Sequence, residues 1–151
     1  MVQNSEHVLI CVAWPYANGP LHLGHVAGCY LPPDIQARYE RAIGNKVLMV
    51  SGSDEHGTPI TVTAEQEGVK PQDIVDKFHQ INSAALLQLG CSWEPKVDPR
   101  GVEFGGSLFN RTSDEKHKKI VQDNFLKLLD AGFFEKKTTQ QYYEINQDGT
   151  G

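Results

Sequence analysis

Apolar and polar positions follow two rhythms along this chain. Residues 8–13, VLICVA, form an unbroken apolar run rich in β-branched side chains. The run is too short for a typical helix and predicts a strand buried on both faces. KVLMVSG, residues 46–52, predicts a second buried strand. Between them Leu23, Ala27, Leu31 and Ile35 recur at every fourth position. That spacing predicts a helix ending before Gly44. Pro32 and Pro33 interrupt it. A proline inside a helix loses a hydrogen bond at a cost of about 3 kcal/mol, so a kink there or a restart at Pro33 is expected.

Beyond the second strand, Thr58 reads as an N-cap with Pro59 at the first helical position, opening a helix that runs to about Gly68. Pro71 opens another, with Ile74, Phe78, Ile81 and Ala85 on its inner face and Gly90 at its end. Residues 91–111 read as irregular, with Trp93 covering the core. Thr112 and Glu115 have capping-box spacing, and the helix they open carries a Val121/Phe125/Leu128 core stripe and stops at Gly132. QQYYEI, residues 140–145, predicts the start of a strand. Strand–helix–strand–helix order implies an α/β fold, a parallel sheet with flanking helices and right-handed crossovers.

Composition narrows the class. The chain has 151 residues, 39% apolar and 22% charged, ordinary for one soluble globular domain. No run approaches the roughly 18 apolar residues of a membrane span, and no basic-then-apolar leader opens the chain, so no membrane partner is expected. Three scattered cysteines, Cys11, Cys29 and Cys91, read as reduced thiols and a cytoplasmic location. A net charge of −5 argues against a nucleic-acid grip over the whole surface. Lys116, His117, Lys118 and Lys119 read as a solvated helix face.

Candidate chemistry gathers where the first strand ends. Open α/β sheets bind ligands beyond the carboxyl ends of their strands. WPYANGPLHLGH, residues 14–25, occupies that place. Ala17, Asn18 and Gly19 are small enough for close backbone approach to a ligand. The following helix start aims free N–H groups and its positive dipole end at the same space, which suits phosphate. Neither the Walker nor the dinucleotide glycine pattern is present. His22 and His25 fall on one side of the first helical turn. Two imidazole donors there can stabilise charge on a pentavalent phosphorus and on departing pyrophosphate. Gly24 leaves room for adenine or ribose. Capping and packing of the helix is the alternative role for the two histidines; a metal role lacks a third ligand nearby.

Asp54 ends the second strand, beside the end of the first. Its carboxylate can pair with a substrate ammonium, a charge-assisted bond of about 1.5–3 kcal/mol, or cap the following helix. His56 reads as packed and His79 as a solvated helix flank; His7 and His117 carry no signal.

PYANG followed by HLGH resembles the signature of class I aminoacyl-tRNA synthetases for aliphatic and sulfur-containing amino acids. SGSDEHGTPI, residues 51–60, is similar to the methionyl members. So are LPPDIQARYERAIGNKV and GGSLFNRTSDEKHKKIVQDNFLKLLDAGFF, in the form closest to archaeal and eukaryotic enzymes. The resemblance covers nearly the whole chain. It implies the N-terminal half of a Rossmann-like nucleotide-binding fold over residues 1–111, then a helix and the start of a connective insertion over 112–151. It implies a methionine–tRNA ligase that uses ATP with Mg²⁺, L-methionine and tRNA(Met), with zinc confined to an insertion beyond these residues.

The resemblance also assigns roles. Trp14 (through its backbone carbonyl), Tyr16 and Asp54 would hold methionine. Asn18, Gly19, His22, Gly24 and His25 would hold ATP, with His22 and His25 catalytic. Trp14 departs from the aliphatic residue common at its position. The family's second lysine-rich phosphate loop contains a methionine, and Met49 is the only one here beyond Met1. The chain is therefore expected to be an N-terminal piece of a longer enzyme, inactive alone and prone to self-association at an open sheet edge. The alternatives are another nucleotidyltransferase of the superfamily and a non-enzymatic synthetase paralogue.

Overall fold

A computed structural model describes residues 6–93, 96–97, 103–104 and 109–140. The strand expected at 140–145 lies outside them, apart from Gln140. Residues 1–118 and 119–151 form two compact units.

The first unit is built on a parallel sheet. β1 (His7–Cys11) pairs with β2 (Lys46–Ser53) from His7 opposite Lys46 to Cys11 opposite Val50. β2 pairs on its other side with β5 (Phe109–Arg111), Ser51 opposite Phe109. The strand order β1-β2-β5 is the parallel α/β arrangement expected from the element order. β5 lies in the stretch read as irregular, as does a small antiparallel pair, β3 (Lys96–Val97) with β4 (Glu103–Phe104). Elements of two or three residues are too short to show any periodicity.

β1 departs from the expectation of burial on both faces. Leu9 is 62% exposed and Cys11 is exposed, while Val8 and Ile10 turn inward. Among the described residues β1 is an edge strand, and its face bearing Leu9 and Cys11 is uncovered.

The crossover from β1 to β2 is one helical run in three parts. α1 (Leu23–His25) passes through a π-turn (Val26–Tyr30) into α2 (Leu31–Ala42). The prolines account for the change of pitch. Pro32 and Pro33 have no N–H to give, so they sit in the first turn of α2. The residue before them, Leu31, reaches back five positions to Val26 O. A restart is thus the outcome, at Leu31 rather than Pro33. The extra residue in the π-turn also rotates the buried face. Tyr30, Asp34 and Ala37 point into the core, while Leu23 and Ile35 are exposed. The burial cost of Asp34 is offset because Ser92 gives it both its N–H and its hydroxyl at 2.6 Å, and Arg38 Nε lies at 2.7 Å.

α3 (Thr58–Glu67) and α4 (Pro71–Gln88) follow β2. Gly57, not Thr58, is the N-cap of α3. α4 buries Ile74, Val75, Phe78, Asn82 and Leu86; Ile81, expected inside, is 45% exposed. One core packs Tyr30, Met49, Leu86, Trp93 and Phe109 under the sheet. A second packs Ala17, Ile60, Ala64, Ile74, Val75 and Phe78 between loop, α3 and α4. Each of the larger aliphatic side chains and Phe contributes about 1.5–3 kcal/mol of burial.

α5 (Glu115–Asp130) begins in the first unit. Thr112 does not cap it: Asp114 Oδ1 accepts from the N–H groups of Lys116 and His117, at 3.0 and 3.3 Å. In the second unit the expected core stripe is open, with Val121, Phe125 and Leu128 exposed by 52, 51 and 45%. Phe125 stacks on Phe134 at 4.6 Å, and among the described residues of this unit no second layer covers the stripe. None of the described helices is long and apolar enough to cross a membrane.

Candidate active site

β2 runs three residues beyond its last pairing with β1, Ser51 to Ser53, and the loop after β1 stays zipped to it. Val12 N–H donates to Val50 O at 2.9 Å, Asp54 N–H to Pro15 O at 2.8 Å and Ala17 N–H to Asp54 O at 2.9 Å. Tyr16 and Asp54 thereby form a parallel bridge beyond the sheet proper. The two strand ends lie side by side, as the sequence requires for a shared ligand.

Two glycines of the β2 side seat the two aromatic rings of the β1 side. A Cβ on Gly52 would stand 2.6 Å from Cζ3 of Trp14, and one on Gly57 3.2 Å from Cε1 of Tyr16. Gly57 also has φ +134°, which a side chain would resist. The Trp14 ring meets the imidazole of His117 at 5.7 Å. His117 therefore stands next to the site, a neighbour that nothing in its sequence context signals. A hollow of about 260 Å³ opens here, lined by Trp14, Tyr16, Asn18, Gly19 and His25 among others. Asp54, His22 and Gly24 are not in its lining. The volume falls below the roughly 300–1,000 Å³ of a small-molecule pocket, so these residues form a partial wall rather than an enclosure.

The approach to His22 is pinned from α4. Asn82, 1% exposed, accepts from Leu21 N–H at 3.0 Å and donates to Gly19 O at 3.1 Å. Its place on the helix makes it look like a core position; its amide instead satisfies loop backbone. His22 and His25 then cap each other. His25 N–H donates to Nδ1 of His22 and His22 N–H to Nδ1 of His25, both at 3.3 Å, and the rings stack at 3.7 Å. Gly24 has its own reason here: a Cβ would lie 3.0 Å from Cε1 of His22, so its bare Cα makes room for that ring. Because each Nδ1 accepts a backbone proton, the proton of each neutral imidazole resides on Nε2. Capping and ligand binding are therefore compatible: one nitrogen of each ring holds the turn and the other is left as a donor.

Behind Asp54 the chain is anchored by a charged cluster that single-residue reading does not find. The Glu55 side chain is fully buried. It takes Nε of Arg111 at 2.6 Å and the hydroxyl of Ser113, while its own N–H donates to Oγ1 of Thr112 at 2.8 Å. Nη2 of Arg111 continues to Asp76 on α4. That Arg111 bond holds the Asp76 carboxyl below the usual carboxylate range. His79 lies 2.8 Å from Oγ of Ser53 and 3.9 Å from Oε1 of Glu55, and stacks on Phe109 at 5.8 Å. Burial, reinforced by Arg111, pushes its pKa down. His79 is thus half-buried rather than a solvated flank, and His56, expected to pack, is exposed. A buried acid needs partners, but which residues serve depends on β5, whose pairing is invisible in the sequence.

Comparison with known proteins gives the family. Residues 8–150 match the family of class I tRNA synthetases (M). The methionine–tRNA ligase of Roseiflexus sp. (strain RS-1) is 47% identical over 133 residues, 88% of this chain and 20% of that protein. The Chlorobium limicola methionine–tRNA ligase is 42% identical over 147 residues, 97% of this chain and 19% of its own length. The chain therefore spans about a fifth of the length of these relatives. Both are bacterial, which lends the archaeal or eukaryotic likeness no support. Among solved structures, Mycobacterium tuberculosis methionyl-tRNA synthetase in complex with methionyl-adenylate superposes with a TM-score of 0.72 at 23% identity, over 84% of this chain and 22% of that one. LeuRS of Agrobacterium radiobacter, in a ternary complex with tRNA and LeuAMS, gives 0.69 at 24% identity, over 87% of this chain and 15% of that one. At those identities the two structures speak for the class I synthetase fold alone. The family match and the identities to the ligases go further: this chain belongs to the methionine-type class I tRNA synthetases.

Proposed function

We propose that the chain supplies the methionine-binding and ATP-binding wall of a methionine–tRNA ligase. The observation that carries the reading is the Tyr16–Asp54 bridge, which puts an aromatic ring and a carboxylate on neighbouring backbones, with Tyr16 lining the same hollow as His25. Asp54 pairs with the methionine ammonium, together with the backbone carbonyl of Trp14. Tyr16 lies along the thioether. Asn18, Gly19 and Gly24 border the nucleotide. The Nε2–H groups of His22 and His25 donate to phosphate oxygens of ATP, brought as its magnesium complex.

Catalysis on this reading is positioning and charge stabilisation. The methionine carboxylate attacks the α-phosphorus, and the oxygen linking it to pyrophosphate leaves with the bond's electrons. The imidazole donors stabilise charge that grows on the phosphate oxygens. Methionyl-adenylate then passes its acyl group to tRNA(Met), in the cytoplasm. Residues 1–111 form the first half of the catalytic domain and 112–151 lead into an insertion. Self-association of the 151 residues through the open edge of β1 belongs to the same reading.

The test replaces the matching segment of the Roseiflexus relative with these 151 residues and measures ATP–pyrophosphate exchange with each amino acid in turn. Exchange that depends on methionine is expected, with the 151 residues alone at background. Exchange that depends on a different amino acid, or none above background with the unaltered relative active, would overturn the proposal.

A further inference from the structure

We infer that Arg111 and Glu55 are positioning residues for the methionine half of the site, holding Asp54 and the Tyr16 ring in place from behind. This rests on the proposed function and adds residues to it.

Successive residues at a strand end point to opposite sides. Asp54 is bridged to Tyr16 on the ligand side, and Glu55 turns inward with its side chain fully buried. Asp54 itself is lightly held: among the described contacts of its carboxylate, Oδ1 accepts from His56 N–H at 3.3 Å, a bond within the same turn. Gly57, in that turn, carries the Tyr16 ring. Both proposed methionine contacts therefore depend on where the turn 54–57 sits. What holds the turn is Glu55, through Arg111 Nε, the Ser113 hydroxyl and the Thr112 hydroxyl on its N–H.

Arg111 is suited to be the fixed point. Its backbone is in register with Ser53, Thr112 N–H donates to Ser53 O at 3.1 Å, and its second nitrogen is tied to Asp76 on α4. An arginine fork engaging two carboxylates fixes direction as well as distance. A buried ion pair is weak evidence for stability, since an apolar pair of similar size often serves as well; its attested use is to specify one arrangement. On the nucleotide side, among the described residues, His22 and His25 are held by each other's backbone N–H groups and Asn82 holds the loop before them, with no charged cluster behind. Loss of the anchor is therefore expected to act on methionine and not on ATP.

The experiment is pyrophosphate exchange by the complete ligase carrying this chain, with KM for methionine and for ATP measured separately. Arg111→Met should raise the methionine KM about tenfold or more, leaving the ATP KM within about twofold and kcat within about threefold; Arg111→Lys should fall between. The double variant Glu55→Met with Arg111→Met leaves no unpaired buried charge, so it should keep the fold and still show the raised methionine KM. An unchanged methionine KM in that double variant, or equal rises for methionine and ATP, would overturn the inference. Should single variants misfold, Thr112→Val removes one hydroxyl, and its methionine KM decides in the same way. Absence of methionine-dependent exchange in the unaltered enzyme would instead defeat the proposed function. Amide hydrogen exchange over residues 54–57 of the 151-residue chain then decides the anchoring by itself: faster in Thr112→Val supports it, unchanged overturns it.

Discussion

The two strand ends that meet at the site are held by opposite means. After β1, the turn at His22–His25 is closed by bonds three residues apart, with Asn82 as its link to the rest of the fold. After β2, the turn at Asp54–Gly57 is held by residues from 35 to 58 positions apart in sequence, through Glu55, Asp76, Arg111, Thr112 and Ser113. The difference teaches where function is legible. A locally closed turn writes itself into a short motif, HLGH. A turn held at long range leaves a motif whose buttress is scattered along the chain.

The largest effect is expected on the local side. In the hybrid ligase carrying these residues, His22→Ala or His25→Ala would remove the donor that the proposed function gives to phosphate, and kcat should fall about 10²–10³-fold, the scale for losing a preorganised donor to a charged transition state. Stability should fall by only about 1 kcal/mol, the worth of one cap. Single-turnover kinetics beside a urea melt separates the two. A fall in rate no greater than the cap energy explains would leave the histidines as helix caps and nothing more.

The seam between the two sides comes next. Gly52→Ala sets a methyl against the Asn110 carbonyl and the Trp14 ring, so β2 must part from β5 or the indole must leave its seat. A loss of about 1–3 kcal/mol is expected from overpacking, read as a lower urea midpoint. An unchanged midpoint would show that the Trp14 ring does not rest there.

Acid sharpens the comparison with the smallest effect. His79 has its folded pKa below the ordinary 6.5, so the unfolded chain binds the proton first as pH falls. Its contribution is whole above pH 6.5 and drains as pH falls through the folded value. Asp76 and Asp34 have folded values below the ordinary 3.8, so theirs persist to lower pH and drain below 3.8. For Asp34, burial opposes that shift and the Ser92 and Arg38 bonds outweigh it. Urea melts at steps of pH should show a first decline beginning near 6.5 that His79→Gln removes. A decline that survives His79→Gln would assign it to another group.

Much of the fold was legible because β1, β2 and the helices α2, α3 and α4 are long enough to carry a period and end in glycine or proline. The proposed site residues of the β1 side stand out in the sequence because their contacts are local. What was not legible has physical causes. The Leu23/Ile35 stripe looks inward by spacing, yet the π-turn forced by two prolines turns Tyr30, Asp34 and Ala37 in instead. Thr112 has the spacing of a cap but spends its hydroxyl on Glu55, and Asp114 caps in its place. The Val121/Phe125/Leu128 stripe states a need for cover without saying what meets it. His79 reads as a flank because Phe109 and Ser53, its partners, come from strands far away in sequence.

The central claim is that Asp54 and the two imidazoles serve one ligand pair, the acid for the amino acid and the rings for the nucleotide. It is tested most directly by Asp54→Asn in the hybrid ligase carrying these residues, with pyrophosphate exchange followed against methionine and against ATP. The side chain keeps its shape and loses its charge, so kcat/KM for methionine should fall about 10–150-fold, the worth of a bond to a charged partner, while the ATP KM stays within about twofold. A methionine response equal to that of the unaltered enzyme would contradict the account.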